Sequence, residues 1–375
     1  MSTIYVNTIL PTGATSVYVS NVSIDGPGSN NMVIGSQTSL ATITSGAQNI
    51  SVGYGNLLSN TSGSDNIGLG SGTLPSNTTG TKNIGLGTFA LQSSTIGSHN
   101  IAVGYEAAKT LVTANRNIAI GTGALRSSTT SQNSVAIGYN AMYASTTGPS
   151  GSVAIGYQAY FNGTGSIPTV AIGKDSLLLA TTGGGNVAVG NESGKNLTTG
   201  NVNVLVGHFC GSALTTGSNN VFVGSSVAGF NSGDQFVGNN CISIGSGSSP
   251  SMLDVDNEIT LGNDLISVLR CQVTSITSLS DKRDKTNIEN SSYGLELVKS
   301  LKPVTFEWDT RDGAKKGIKD LGFIAQDLKE VDDTYLKLVY ESNPDKLEAS
   351  YGRLIPVLVK AIQDLSKELD ELKNK

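Results

Sequence analysis

The sequence predicts a mainly β protein, in which a long parallel β-solenoid of about 17-residue repeats precedes an α+β domain that ends in a long helix. Three observations predict this: a recurring five-residue phrase, a body rich in Gly, and an abrupt change in charge. The chain holds 46 Gly and only 14% charged residues. Residues 1–270 contain 7 Lys or Arg and 10 Asp or Glu, whereas the remaining residues contain 17 and 19.

The recurring phrase is typified by Asn-Ile-Ala-Val-Gly at residues 100–104. It occurs fourteen times, and its closing glycines lie 17 or 18 residues apart, except for an interval of 21 between Gly224 and Gly245. The second and fourth residues are β-branched, Leu or Met and the third is mostly small, which predicts a short strand with one packed face. The Gly ends the strand, and a turn rich in Ser, Thr and Gly closes each rung. Such a period indicates a solenoid.

Each predicted rung buries only two or three medium-sized apolar side chains. At about 25 cal/mol per Å² this is a small core for one chain. We therefore expect several chains to associate. The net charge of −5 gives no electrostatic footprint for nucleic acid or an anionic membrane.

No cofactor or metal is expected, because Cys210, Cys241 and Cys271 lack metal-ligand spacing and are interpreted as small buried side chains. Residues 1–7 lack the features of a signal peptide, and no stretch reaches the ~18 apolar residues of a membrane span. We expect synthesis in the cytosol without signal-dependent export.

Four segments are predicted. Residues 1–30 form an N-terminal attachment segment, 31–265 the repetitive solenoid, 266–279 a linker, and 280–375 the C-terminal domain.

The phrases over residues 31–262 resemble the head repeats of trimeric autotransporter adhesins, which pair a similar strand with a following Ala. The resemblance implies that three chains build a trimeric parallel β-roll. The period is longer than the usual head repeat, and there is neither a signal peptide nor a membrane β-domain in the sequence. An autotransporter is therefore not expected.

The C-terminal domain carries three further motifs: Ser-Asp-Lys-Arg-Asp-Lys from Ser280, Gly-Phe-Ile-Ala-Gln at 322–326, and Leu-Ile-Pro-Val-Leu from Leu354. Together they resemble the intramolecular chaperone domain of endosialidase-type phage tail spikes, a self-cleaving peptidase family. The resemblance implies a domain that drives trimerisation and is then cut at the Leu279–Ser280 bond.

In that family the serine of the first motif is the cleavage residue, so the resemblance implies catalytic roles for Ser280, Lys285 and Asp281. Motif-supporting positions are Arg283, Asn287, Gly322 and Gln326. Independently, a serine hydroxyl needs a neighbouring base. Both histidines, His99 and His208, lie far back in the solenoid, which leaves Lys, Asp or Glu. Enzymatic activity is expected only as a single-turnover serine autoprotease. The alternative is a solvated loop with an exposed ion pair.

The last helix is predicted to start near Leu354, because Pro356 fits only in a first turn. Its apolar residues recur at intervals of three and four, as in a coiled coil. The alternative is an amphipathic helix that packs on its own domain. Ile followed by Leu at the seam would by itself favour a two-stranded coiled coil. We nevertheless expect three strands, because the fibre is expected to have threefold symmetry. The seam consists of Ile355, Leu358, Ile362, Leu365, Leu369 and Leu372.

These features favour a virion tail fibre, assembled as a homotrimer in the host cytoplasm, with other tail or baseplate proteins and a host-surface glycan or protein as partners. One alternative is a carbohydrate-degrading tail spike, but acidic residues are scattered through the body, and Asp254 and Asp256 are interpreted as ordinary loop residues. Another is a cellular trimeric surface adhesin with the same chaperone. Residues 322–326 are interpreted as a buried structural segment.

Overall fold

A computed structural model describes residues 24–26, 28–34, 40, 42–146, 150–165, 167–229, 234–266, 268–270, 272, 280–311, 313, 315–341 and 343–374. The chain divides into two units, Met1–Ser249 with Asp256–Thr260, and Pro250–Val255 with Leu261–Lys375. Most of the predicted attachment segment, the end of the linker, Leu279 and Cys271 lie outside the described residues. Within the described part, no helix has the length and apolarity of a membrane span.

The first unit is the predicted parallel solenoid of about 13 turns. One short strand per rung pairs in parallel with the strand of the next rung, for example Val170 with Val187. An antiparallel pairing of β1 with β2 precedes them. The strands are β1 Ile24–Gly26, β2 Gly28–Ile34, β3 Ile50–Tyr54, β4 Ile67–Ser71, β5 Ile84–Leu86, β6 Ile101–Val103, β7 Ile118–Ile120, β8 Val135–Ile137, β9 Val153–Ile155, β10 Val170–Ile172, β11 Val187–Val189, β12 Val204–Val206, β13 Val221–Val223, β14 Ile242–Ile244 and β15 Ile259–Leu261.

The structure corrects the prediction of which strand face packs inside one chain. The small third residue of the phrase, such as Ala102 or Ala119, is fully buried in the solenoid. The aliphatic second and fourth residues flank it on the outward face, where they are half-buried or exposed. The interior is narrow, since a Cβ added at Gly85 would lie 2.3 Å from the Thr73 Cγ2 atom. A rung of 17 residues therefore has room only for small side chains on the inward side of its strand.

The opposite wall of the solenoid fills the remaining space with larger side chains. One buried column, which is large except at Ala108, consists of Leu57, Leu74, Leu91, Ala108, Leu125, Met142, Tyr160 and Leu177. Where the strand itself carries the large Leu205, this column changes to Gly194 and Gly211. A Cβ at either glycine would lie less than 3 Å from the Leu205 side chain. Large and small residues therefore alternate between the walls, which keeps the interior close-packed.

Buried Asn side chains form ladders along the solenoid where most phrases begin, from Asn31 to Asn117 and from Asn186 to Asn220. The Oδ1 atom of Asn83 accepts hydrogen bonds from the backbone N–H of Asn100, at 3.0 Å, and from its Nδ2, at 3.1 Å. The Nδ2 of Asn83 donates to Asn66 Oδ1 at 3.1 Å and to the Gly97 carbonyl at 2.7 Å. Each amide thereby satisfies the turns of two rungs, which a buried polar group requires.

The closing Gly of each phrase allows successive rungs to approach closely. At Gly190 the φ angle is 143°, and an added Cβ would lie 2.2 Å from the Gly207 carbonyl oxygen. Only Gly adopts this backbone at such a separation. The predicted role of these glycines as strand terminators is confirmed from β5 to β15, whereas β3 and β4 continue one residue past Gly53 and Gly70.

The second unit is the predicted α+β region, with a core of Leu328, Leu336, Leu338, Leu354 and Val357. Its last helix begins at Leu354, as predicted, and its elements come in the order α, β, β, α, β, β, α. They are α1 Leu295–Ser300, β16 Val304–Asp309, β17 Lys316–Gly322, α2 Ala325–Lys329, β18 Val339–Tyr340, β19 Glu348–Ala349 and α3 Leu354–Lys373. The pairs β16–β17 and β18–β19 are both antiparallel.

Candidate functional site

The site begins with a 3-10 turn, Lys282–Asp284, directly after Ser280. Asp281 is its N-cap, and its carboxylate accepts a hydrogen bond from the backbone N–H of Arg283 at 2.8 Å. The N–H of Lys285 closes the turn on the Lys282 carbonyl at 3.2 Å. An Asp at this position stabilises such a turn because it satisfies a backbone donor that has no partner within the turn.

This turn brings Ser280 and Lys285 together. The Lys285 Nζ donates a hydrogen bond to the Ser280 Oγ at 2.6 Å. A serine hydroxyl and a lysine amine at this distance can exchange a proton directly. Activated serine chemistry needs a base in such contact with the hydroxyl, and a lysine can act as that base only in its neutral form.

Asp281 faces Arg283 rather than Ser280. Its carboxylate receives the Arg283 Nη2 at 2.6 Å and the Nε at 3.1 Å. The side-chain hydrogen bond from Arg283 lowers the pKa of Asp281, and the same bond raises the pKa of Arg283. The contacts of Asp281 are those of a residue that holds the turn rather than of a proton acceptor from the serine.

The whole segment from Ser280 to Asn287 is exposed in the single chain. Asn287 has a φ of 53°, a conformation that Asn adopts more readily than most residues. Leu279, the other side of the predicted cleavage bond, lies outside the described residues. No group of three His, Cys, Asp or Glu that could hold a metal ion occurs in the described part of the chain.

The second predicted motif lies at the end of β17. Gly322 is buried, and a Cβ there would lie 2.6 Å from the Tyr351 hydroxyl oxygen. That hydroxyl accepts a hydrogen bond from the backbone N–H of Phe323 at 3.1 Å. Gln326, by contrast, is exposed in α2. The interpretation of the motif as buried structure is thus correct for Gly322 but not for Gln326.

Sequence reasoning missed a pair of adjacent aspartates that shape the loop before β18. Asp332 accepts the N–H groups of Leu338 and Val339 at 2.8 and 2.9 Å. Asp333 accepts the N–H of Leu336 at 2.9 Å and the hydroxyl of Tyr293, whose hydrogen bond lowers the pKa of Asp333. Two aspartates before Thr and Tyr are a turn signal that could have identified this loop.

Comparison with known protein families identifies the part of the second unit that begins at Ser280. Residues 280–338 match the family described as chaperone of endosialidase, peptidase family S74. Residues 280–338 form a chaperone of endosialidase domain. The match begins at Ser280, and α3 follows it. No curated protein and no solved structure matches the chain.

The chaperone domain, joined to a β-solenoid of about 13 turns, is the organisation of a tail fibre or tail spike with a C-terminal intramolecular chaperone. The predicted recognition is therefore confirmed, and so is the predicted fold class of a mainly β parallel solenoid followed by an α+β region that ends in a helix. The family that matches is a peptidase family.

Proposed function

We propose that this protein is a homotrimeric virion tail fibre whose chaperone domain templates trimerisation and is then released by autoproteolysis between Leu279 and Ser280. The observation that carries the proposal is an unpartnered aliphatic face on a solenoid that is joined to a chaperone of endosialidase domain. Each step of the proposal corresponds to a distinct set of residues.

The aliphatic face is formed by the second and fourth residues of each phrase, such as Ile101 and Val103. It repeats on fourteen strands from β2 to β15, which at about 4.8 Å per strand gives a stripe about 60 Å long. Ile34, Leu86 and Ile244 are exposed by 51%, 42% and 42%. Monomeric proteins rarely expose so long a continuous apolar surface. Three copies that turn these faces towards a common axis would bury them and enlarge the thin core of each chain.

Helix α3 offers a second self-association surface. Its buried residues are Leu354, Val357 and Ala361, which face its own domain. All six predicted seam residues are exposed, with Ile362 at 66% and Leu372 at 67%. A helix that only packed on its own domain would bury its apolar seam, so this observation favours the predicted coiled coil over the alternative.

The proposed cleavage uses the Ser280–Lys285 pair. The Ser280 Oγ attacks the carbonyl carbon of Leu279 while the Lys285 amine takes the hydroxyl proton. The C–N bond then breaks as its nitrogen is protonated, which leaves an ester between Leu279 and the serine oxygen. Water hydrolyses this ester to a Leu279 carboxylate and the free Ser280 hydroxyl. Attack within one chain needs no substrate binding, which lowers the entropic barrier.

Release would make assembly irreversible. A trimer that has lost its folding template cannot return along its folding route, so it resists unfolding through a kinetic barrier. The fibre would then serve as a host-adhesion or structural appendage, in contact with other tail or baseplate proteins.

The cleavage claim is tested on denaturing gels of the full chain. We expect the wild type to give two fragments, the smaller beginning Ser-Asp-Lys-Arg, while Ser280→Ala stays intact at 38.6 kDa. Ser292→Ala, which changes an exposed serine of the same domain, is the matched control and should cleave normally. An intact wild-type chain would refute autoproteolysis.

The trimer claim is tested by sedimentation of the same preparations. Ile120→Asp places a charge on the aliphatic face and should prevent a stable trimer, whereas Asn133→Asp, at an exposed turn, should not. A wild-type monomer or dimer would contradict the proposed symmetry.

A further inference from the structure

A column of surface residues that includes four exposed tyrosines, called the aromatic column, lies just beyond the aliphatic face. It is defined by the residue that follows the closing Gly of each phrase. Backbone hydrogen bonds stack its members directly: Gly123 N–H donates to the Tyr105 carbonyl, and Asn140 N–H donates to the Thr122 carbonyl, both at 2.9 Å. The order along the column is therefore Tyr105, Thr122, Tyr139.

This column differs in composition from the aliphatic face. The strand residues on the aliphatic face are aliphatic on every rung, whereas this column also contains Ser, Thr, Lys, Asn and His. Such a mixture indicates a surface in contact with solvent rather than a continuation of the proposed trimer interface. Its tyrosines Tyr105, Tyr139 and Tyr157 are nevertheless exposed by 49%, 50% and 46%.

Between two of these tyrosines lies a slot one rung wide. Tyr139 stacks on Tyr157 of the next rung, with ring centroids 5.3 Å apart and planes 11° apart. On its other side the next rung carries the exposed Thr122 and the buried Gly123, where an added Cβ would lie 3.0 Å from the Tyr143 ring. The following tyrosine, Tyr105, is two strand spacings away, about 10 Å. Thr122 therefore stands where a further stacked ring would lie. The gap between Tyr105 and Tyr139 has room for one flat ring.

The edge of the slot carries hydrogen-bonding groups held in place by ion pairs. The Glu106 carboxylate receives Lys109 Nζ at 2.6 Å and Arg126 Nε at 2.5 Å. The Arg126 guanidinium also lies 5.3 Å from the ring centroid of Tyr143. The hydrogen bond from Arg126 lowers the pKa of Glu106, so the carboxylate remains an acceptor. One anion against two cations leaves a net positive edge, which disfavours a cationic guest.

We infer that this slot, bounded by Tyr105, Thr122 and Tyr139, binds one pyranose ring of a neutral or acidic saccharide. A pyranose presents apolar C–H faces to the two tyrosines and hydroxyl groups to Thr122, Glu106 and Arg126. Apolar walls with a few placed polar groups are the general composition of a small-molecule site. The inference rests on the proposed function, since it gives the fibre's adhesive role a site and a ligand class.

The test uses the full chain on an array of bacterial surface oligosaccharides with neutral and uronic acid sugars, followed by calorimetric titration of the best binder. Thr122→Tyr fills the slot, and it is structurally matched because the column already carries Tyr on neighbouring rungs. We expect it to abolish binding. Tyr139→Ala should weaken binding about tenfold or more through the lost aromatic contact. Tyr54→Ala, in the same column away from the slot, should bind as the wild type does.

Several results would overturn the inference: no saccharide bound by the wild type, unchanged affinity of Thr122→Tyr, or a preference for choline over every sugar. Sedimentation and gels of the same samples report on assembly and cleavage separately. An assembled, cleaved fibre without sugar binding refutes the slot alone. If the chain does not assemble but its variants bind sugar as expected, the proposed function is refuted and the inference about the slot stands.

Discussion

Substituting Asn83 by Ala tests whether the Asn ladder holds the rungs together or only fills space. Ala removes both the amide oxygen and the amide nitrogen. The backbone N–H of Asn100 and the Gly97 carbonyl then lose the partners that Asn83 provides. Asn66 Oδ1 keeps the Asn83 backbone N–H at 3.0 Å, and Asn100 Nδ2, which loses its bond to Asn83, keeps the Ala114 carbonyl at 2.8 Å. Two buried backbone groups are therefore left unpaired by the substitution.

The expected magnitude follows from that count. An unsatisfied buried group costs about 1–3 kcal/mol, so Asn83→Ala should destabilise the solenoid by about 2–6 kcal/mol. Asn83→Ser should cost about half as much, because a serine hydroxyl can replace the acceptor. The chain already does this at Ser152, whose Oγ accepts the Thr169 N–H at 2.9 Å. In Asn83→Ser only the Gly97 carbonyl stays unpaired.

The assay is urea unfolding of the full chain by circular dichroism, read as a midpoint, or as an unfolding rate where the transition is irreversible. Asn115→Ala is the matched control. It removes an amide that accepts the Ser98 N–H at 2.8 Å on the part-exposed outside of the turn, where water can replace it. We expect a change below about 1 kcal/mol there. Equal effects of Ala and Ser at position 83 would refute the hydrogen-bond account.

Three further predictions concern single side chains. Lys285→Ala should block cleavage while Lys282→Ala leaves it unchanged, as judged by the fragment ratio on gels; equal cleavage in both would exclude Lys285 as the base. Burial raises the pKa of the Cys210 thiol to about 12, so at pH 8 it should resist iodoacetamide in the native chain and react only after unfolding, which mass spectrometry detects. Gly322→Ala should destabilise the chaperone domain by about 1–3 kcal/mol, because the new methyl meets the Tyr351 hydroxyl. Thermal unfolding should show a smaller effect of the same change in a Tyr351→Phe background.

Much of the architecture could be predicted because its signals are local. The strand at residues 101–103 is marked by its own alternation, and its end is marked by Gly104. The start of α3 at Leu354 follows from Pro356 two residues later. The Ser280–Lys285 pair was also accessible, since five residues around a capped turn bring the two side chains together. Asp281 was assigned to the catalytic group on resemblance, yet its contacts are those of a turn residue paired with Arg283.

The repeat, the strands, the terminating glycines and the chaperone motifs are predictable because each depends on residues that are close along the chain. Which strand face is interior, how the Asn side chains pair, and where the aromatic column leaves a slot depend instead on packing between rungs. Those features join residues 12–34 positions apart, as Gly85 with Thr73 or Tyr105 with Tyr139. The alternation of large and small residues shows that the two faces of a strand differ. The interior of a 17-residue rung is narrow, so the face with the small residue lies inside.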